Sequence, residues 1–181
     1  MSKASIASIA NTVFLICLIL LVQLGFLEFY PPLSYTAHKL LHIIGACMFI
    51  GNIFVGPVWV MFAIRSEKLE LLQFSFKILL LTDILVTIPG IDLTVINGLF
   101  LGQAMGGVNE IYWLKHAIWD LFALWVLVYP ILRIQDRMKL LVENGEFDSV
   151  TFRRKLRQWM IVGALSLVPV GHILYLMVYK P

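Results

Sequence analysis

Five apolar stretches, each long enough to cross a bilayer as a helix, constrain this chain more than any other feature of its sequence. Such a helix needs ~20 mostly apolar residues. The five predicted spans cover residues 9–27, 39–64, 74–101, 112–134 and 159–179. Hydrophobic residues make up 60% of the 181-residue chain and charged residues only 14%, which is too apolar a balance for a soluble domain. We therefore predict an all-α integral membrane protein in contact with the lipid bilayer. The same balance excludes a soluble globular protein, a disordered chain and a nucleic-acid-binding module.

The first span is set apart from the other four by the segment Glu28-Phe29-Tyr30-Pro31-Pro32, which is typical of a stop at the membrane interface. We predict that residues 1–34 form an N-terminal transmembrane anchor helix and that residues 35–181 form a four-helix membrane bundle. A cleaved signal peptide is the alternative for the first span, because Lys3 supplies a basic start. The small residues of that region precede the apolar run, however, whereas cleavage requires them after it.

The basic residues predict the orientation of the spans. If the N-terminus is cytoplasmic, eleven of the 14 Lys and Arg residues lie on that side, and only Lys39, Lys115 and Lys180 lie on the other. An excess of Lys and Arg in cytoplasmic loops is the usual topological signal. We therefore predict a multi-pass protein of a bacterial-type inner membrane, with a cytoplasmic N-terminus and a periplasmic C-terminus.

The longest polar segment, residues 133–158, is predicted as a cytoplasmic loop. Its pattern indicates two short amphipathic helices that break at Asn144-Gly145, with Asp148 or Ser149 capping the second. Its basic run at 153–157 is typical of a topology determinant on the membrane surface or of a docking site for a partner or anionic lipid.

Ionisable side chains inside a bilayer are costly, and they usually face a bundle interior or a cavity. The predicted orientation brings all four histidines of the chain to the outer leaflet: His38, His42, His116 and His172. Lys115 and Asp120 lie at the same depth, in the first turns of the fourth span. This grouping predicts a functional site in the outer half of the bundle.

One face of the second span is small and polar. It consists of His42, Gly45, Ala46, Phe49, Asn52 and Gly56. Two interpretations stay open. Small residues favour close packing between membrane helices. Alternatively, a flat cofactor lies against this face with His42 as its axial ligand, because histidine is a common iron ligand.

The third and fourth spans carry further polar groups. His116 and Asp120 are four residues apart, so they share a helical face. There the carboxylate either orients the imidazole and accepts a proton, or merely neutralises His116 or Lys115. Asp92 follows a kink expected at Pro89-Gly90, and at that depth it requires a partner, such as Lys115 or His172, or protonation. Asp83 is expected to be structural and to pair with Lys77.

Several of these residues stand in motifs of a known family. Leu41-His42-Ile43-Ile44 with Phe49-Ile50-Gly51, Trp113-Leu114-Lys115 and Val178-Tyr179-Lys180-Pro181 resemble segments of the HemJ-type protoporphyrinogen oxidases and of the wider CopD-like group of small membrane proteins. The resemblance covers residues 35–181. The Pro89-Gly90 motif and the sequence Arg157-Gln158-Trp159-Met160 make the chain look closer to a sister branch.

The resemblance implies a four-helix bundle that binds heme b, with His42 as the heme-linked histidine and Lys115 as the functional lysine. The corresponding expectation is a heme-dependent membrane oxidoreductase or electron carrier. In it His172 or His116 supplies a second ligand, and Gly45, Phe49 and Asn52 line the cofactor. Lys115 and Asp120 would bind a propionate or an acidic substrate, and Asp92 would move protons.

The expected substrate of such a protein is a quinone or a porphyrin-like molecule, and its expected partners are a membrane redox protein or further copies of the chain. Two alternatives stand beside this one. The CopD-like kinship suggests copper or other metal handling, for which clustered soft ligands are needed. A non-catalytic subunit of a membrane complex would use the same polar residues for packing alone.

Reporter fusions test the predicted orientation. Alkaline phosphatase is active only outside the cytoplasm, so we expect activity when it is fused after Lys180 and none when it is fused after Arg65. A fluorescent protein that folds only in the cytoplasm should give the reverse pattern. Phosphatase activity at the Arg65 junction would contradict the orientation.

Overall fold

The structure, a computed structural model, describes residues 2–27 and 30–180, except the side chain at position 4. Glu28 and Phe29 of the predicted interfacial stop and Pro181 of the C-terminal motif lie outside the described residues. The described helices are α1 (Lys3–Gln23), α2 (Tyr35–Arg65), α3 (Leu69–Thr82), α4 (Ile88–Ala104), α5 (Tyr112–Glu143) and α6 (Val150–Tyr179), with a π-helical turn (Asp83–Thr87) between α3 and α4.

The predicted all-α membrane fold is confirmed. Within the described ranges there is no strand, and five helical segments are long and apolar enough to cross a membrane. Four of them are the single helices α1, α2, α5 and α6. The remaining segment, third in chain order, consists of α3, the π-helical turn and α4, which together form one continuous span over residues 69–104.

The prediction for residues 133–158 is partly wrong. Helix α5 runs without interruption to Glu143 and α6 begins at Val150, so the amphipathic segments extend these two spans instead of forming separate short helices. No Pro or Gly interrupts residues 134–143, and buried side chains of this stretch pack on α3. The predicted break is confirmed: Asn144 ends α5 and Gly145 has φ +76°. The Ser149 side chain caps α6.

The π-helical turn comes directly before Pro89. Proline has no amide hydrogen, and its ring clashes with the carbonyl four residues earlier, so the helix cannot pass through this position with regular bonding. The chain widens here instead, and the Ile88 amide donates to the carbonyl of Asp83, five residues back. The sequence predicted a kink at this place. The structure has a π-helical turn there, and its residues Asp83 and Thr87 line the cavity described below.

Helix α2 packs mainly on α4, and the contact is close because both helices carry glycine. A Cβ atom at Gly45 would lie 2.6 Å from the carbonyl oxygen of Gly90, and one at Gly90 would lie 2.8 Å from the amide nitrogen of Phe49. Near the first turn of α2, the buried His38 adds a hydrogen bond of 2.7 Å between its Nδ1 and Asn97 Oδ1. Glycine packing and polar side chains therefore hold α2 and α4 together.

Helix α1 is attached to the bundle at three heights. The Ser2 amide donates to Asp136 Oδ2 (2.9 Å), Asn11 Nδ2 donates to Asp92 Oδ1 (2.8 Å), and Asn109 Nδ2 donates to the Gln23 carbonyl (2.7 Å). Its fully buried side chains join a core that α4 and α5 share. The two-part division at residue 34 stays a prediction, but α1 contributes a wall to the bundle.

The Gly45 contact makes a sharp prediction about stability. Gly45→Ala places a methyl group against backbone atoms of α4 that cannot move aside, so we expect a loss of about 1–3 kcal/mol, typical of overpacking. Gly51→Ala is the matched control on the same helix, because a Cβ atom there meets no other atom within 4 Å. Thermal unfolding in detergent should show a lowered midpoint for the first variant and an unchanged or raised one for the second. Equal midpoints would contradict the packing.

Candidate intramembrane binding site

The helices leave a cavity of about 400 Å³ between α1, α2, the π-helical turn, α5 and α6. Its surface is mostly hydrocarbon. The polar side chains among its lining residues are Ser8, Asn11, Thr12, Asn52, Asp83, Thr87, Gln135 and Ser166, together with the indole groups of Trp125 and Trp159. An apolar cavity with a few convergent polar groups is the usual form of a small-molecule site.

Two core clusters enclose the cavity at its ends. Leu79 and Trp159 belong both to its lining and to the cluster that joins α2, α3, α5 and α6. Trp125 belongs both to the lining and to the cluster that joins α1, α4 and α5. The lining runs on α5 from Leu121 to Gln135, which is ~21 Å at the rise of an α-helix. The cavity is therefore elongated along the bundle.

Part of the cavity rim is exposed on the outside of the bundle. Phe54 on α2 and Met160 on α6 line the cavity, although 55% and 44% of their surfaces are exposed, and Ala164 is exposed as well. These residues lie in helices that are long and apolar enough to cross a membrane, so the side of the bundle on which they are exposed is expected to face lipid. The cavity thus opens sideways toward the lipid, between α2 and α6.

A polar cluster of three side chains lies in the cavity wall where α2 meets the π-helical turn. Asn52 Nδ2 donates to Thr87 Oγ1 (2.7 Å) and to Asp83 Oδ1 (3.3 Å), and Thr87 Oγ1 donates to the same carboxylate oxygen (3.2 Å). We call Asn52, Asp83 and Thr87 the Asn-Asp-Thr cluster. Asp83 was expected to pair with Lys77. The structure gives it Asn52 of α2 and Thr87 instead, and Thr87 is four residues further along the chain, a spacing at which helical side chains are neighbours.

Elsewhere in the lining, two buried polar atoms have no hydrogen-bond partner among the described residues. Trp125 Nε1 and Gln135 Oε1 are buried and take part in no hydrogen bond with any of the described residues. Both residues are on α5, ten positions apart, so their Cα atoms are separated by ~15 Å along the helix. A buried polar group without a partner costs free energy. Each of them is therefore a candidate contact for a bound molecule.

The predicted site residues are distributed over several places. Phe49 and Asn52 line the cavity. Gly45 lies in the contact between α2 and α4, where the carbonyl of Gly90 leaves no room for a flat ring. At Gly45, the structure therefore favours close helix packing over a bound cofactor as the reason for the small face of α2.

The histidines at the other end of the bundle have separate partners. His42 Nδ1 lies 2.7 Å from the Thr94 carbonyl oxygen, and His116 Nδ1 lies 2.9 Å from the Tyr112 carbonyl oxygen of its own helix. His172 Nδ1 lies 2.7 Å from Asp120 Oδ2. Asp120 therefore pairs across the contact of α5 with α6, and not with His116 or Lys115 as the sequence predicted.

The two remaining predicted residues also differ from expectation in their surroundings. Asp92 was expected either to have a partner, such as Lys115 or His172, or to be protonated, and it accepts a hydrogen bond from Asn11 of α1. Lys115 is exposed and makes no ion pair with a described residue. The Asp120 pair is thus separate from the cavity, whereas the Asp92 pair adjoins it, because Asn11 is one of the lining residues.

Three of the four histidines share a pattern that suits a metal ligand. His42, His116 and His172 each have Nδ1 engaged, while Nε2 has no hydrogen-bond partner among the residues described. A ligating histidine commonly binds the metal through one nitrogen and has the other fixed by a carbonyl or a carboxylate. In the part of the chain that the structure describes, no group of three or more His, Cys, Asp or Glu residues could hold a metal ion.

Sequence reasoning missed most of the cavity. Asp83 was interpreted as structural, and Thr87, Trp125 and Gln135 were not singled out. A signal was present for Asp83 and Thr87, because Pro89 predicts a distorted turn whose polar side chains leave the regular helical face. Gln135 is buried in a segment that the sequence pattern assigned to a loop.

The fold and the site define a multi-pass α-helical membrane protein with an intramembrane cavity. Residues 36–181 match the family described as a predicted integral membrane protein, DUF2269, and the chain belongs to this family. No curated protein and no solved structure matches the chain. Helix α1, which forms one wall of the cavity, precedes the matched residues.

Proposed function

We propose that this protein binds a lipophilic small molecule that is dissolved in the membrane, and that the molecule occupies the cavity between α1, α2, α5 and α6. The observation that carries the proposal is the sideways opening of an apolar cavity whose wall contains the Asn-Asp-Thr cluster. A molecule that reaches the cavity through this opening comes from the lipid phase. The molecule exchanges one apolar environment for another when it enters, so burial of its apolar part gains little free energy. Contacts of its polar group with the cavity wall therefore supply the specificity.

Among the substrates expected from the sequence, a quinone-type molecule suits this cavity well. Its ring and chain are apolar, and its oxygens match a few fixed polar side chains. The elongated form of the lining favours a molecule with a chain over a compact ring system of the porphyrin type.

A brominated alcohol provides the test, because bromine quenches tryptophan fluorescence on contact and Trp125 and Trp159 line the cavity. We expect saturable quenching when ω-bromododecanol is added to the protein in detergent. Gly163→Leu should abolish the saturable part. Gly163 lines the cavity and a Cβ atom there meets no other atom within 4 Å, so the new side chain enters empty space.

Gly171→Leu is the matched control. Gly171 lies on the same helix and a Cβ atom there also meets no other atom within 4 Å, but the residue does not line the cavity. This variant should bind as the unsubstituted protein does. Quenching that rises linearly with probe concentration in all three proteins would overturn the proposal.

A second candidate function is the heme b-dependent redox role that the HemJ-like and CopD-like resemblance implies. The observation that favours it is the fixed orientation of His42. The Thr94 carbonyl only accepts, so His42 Nδ1 carries the hydrogen and Nε2 has the lone pair that iron requires. His42 is the proposed ligand, and His172, whose Nδ1 is beside Asp120, is the proposed ligand from α6. When bound, heme would supply one-electron transfer, and a membrane redox partner would be required.

Visible absorption tests the second candidate. Protein purified from heme-replete cells should show a Soret band that shifts on reduction. His42→Ala should remove the band because the ring nitrogen is lost, and added imidazole should restore part of it. A colourless preparation, or a band that the substitution leaves unchanged, would contradict the role of His42.

The predicted location belongs to the same proposal. We propose a bacterial-type inner membrane, with the N-terminus in the cytoplasm and the C-terminus in the periplasm. The basic residues support this orientation. In it the cavity lies toward the cytoplasmic side of the bilayer, since its lining residues on α1 belong to the N-terminal half of that helix and most of those on α2 to the C-terminal half.

A further inference from the structure

We infer that the cavity selects a molecule whose polar head donates hydrogen bonds, such as a long-chain alcohol, a phenol or a reduced quinone, and that the Asn-Asp-Thr cluster receives this head. The inference rests on the proposed function, because it names the class of molecule that the cavity takes. It follows from counting the donors and acceptors of three side chains.

The cluster uses all of its donors internally. An Asn side chain has two N–H donors, and those of Asn52 point to Thr87 and Asp83. Thr87 has one O–H donor, which points to Asp83. The structure turns the nitrogen of the Asn52 amide, and not its oxygen, toward both Thr87 and Asp83.

Two acceptor atoms of the cluster stay free. Asn52 Oδ1 and Asp83 Oδ2 accept no hydrogen bond from any residue within the described ranges. Asn52 Oδ1 is an acceptor whether or not Asp83 is protonated. A ligand that only accepts, such as an ether or an ester, would leave this oxygen without a partner, whereas a hydroxyl group would satisfy it.

The apolar surroundings of the cluster raise the free-energy cost of leaving its free acceptors without a hydrogen bond. The ion pairs of the described residues do not include Asp83, and most of the cavity lining is apolar. Acceptors in hydrocarbon have no water to bind, so an unmatched head costs more here than on a protein surface. The ~21 Å of lining along α5 accommodates the chain that follows the head.

Two probes that differ only in the donor test the inference. We expect ω-bromododecanol to bind about tenfold more tightly than its methyl ether, the difference typical of leaving one buried acceptor without a hydrogen bond. Both probes have the same chain and the same bromine, so the saturable quenching of Trp125 and Trp159 reports both in the same way.

Substitutions in the cluster should reduce the preference. Thr87→Val removes both the acceptor of one Asn52 N–H and the donor to Asp83. The cluster then offers a donor that the ether can bind, so the ether gains relative to the alcohol even though the cluster keeps free acceptors. Asp83→Asn also introduces a donor, because an amide group replaces the carboxyl group. Two different variants are used so that the test still stands if one of them fails to fold. We expect the alcohol and the ether to bind within about threefold of each other in both variants.

Thr94→Val is the matched control. Thr94 lies on α4, its hydroxyl donates to the Gly90 carbonyl of its own helix, and it does not line the cavity. This variant should keep the tenfold preference. Loss of the preference in Thr94→Val as well as in Thr87→Val would overturn the role of the cluster.

The outcomes separate the inference from the proposed function. Saturable binding of alcohol and ether with equal affinity, lost in Gly163→Leu, would overturn the donor preference and leave the cavity as a binding site, for instance for an acyl chain. Tighter binding of the ether would overturn the donor preference too. Absence of saturable binding by either probe would overturn the proposed function itself.

Discussion

Helix α2 approaches α4 so closely at Gly45 and Gly90 that no side chain fits between them, and the rest of the bundle depends on this contact. In lipid there is no strong hydrophobic force between helices, so close backbone packing and interhelical hydrogen bonds hold them together. Here both occur on one interface. The hydrogen bonds of His38 and Asn52 to the opposing segment lie on either side of the glycine contact along α2. The interface fixes the position of the π-helical turn and therefore the wall of the cavity.

The polar groups of the bundle follow from a single requirement, that a group removed from water must find its partner within the protein. Asp92 finds Asn11, Asp120 finds His172, and Asp83 finds Asn52 and Thr87. The last of these differs from the others because the carboxyl group and both of its partners line the cavity. This difference, and not the number of polar residues, makes the Asn-Asp-Thr cluster a stronger candidate for binding a ligand than the pairs of Asp92 and Asp120.

The sequence predicted the parts of the fold that depend on local chemistry. Span length fixed the five membrane crossings, Asn144-Gly145 and Ser149 marked the break between α5 and α6, and Pro89 marked the irregular turn. The candidate site was less predictable, because partners across helices depend on packing. Spacing along one helix paired Asp120 with His116, whereas the packing of α5 on α6 pairs it with His172. The cavity depends on the space that five helices leave, which no single segment encodes.

A membrane-dissolved molecule that occupies the cavity with its head at the Asn-Asp-Thr cluster can be located directly. Anomalous scattering from bromine in crystals grown with ω-bromododecanol measures this directly. We expect a bromine peak inside the cavity, beside lining residues such as Trp125 or Gly163, with the hydroxyl end at Asn52 and Asp83. Bromine found only on the outer, lipid-facing surface of the bundle would contradict it.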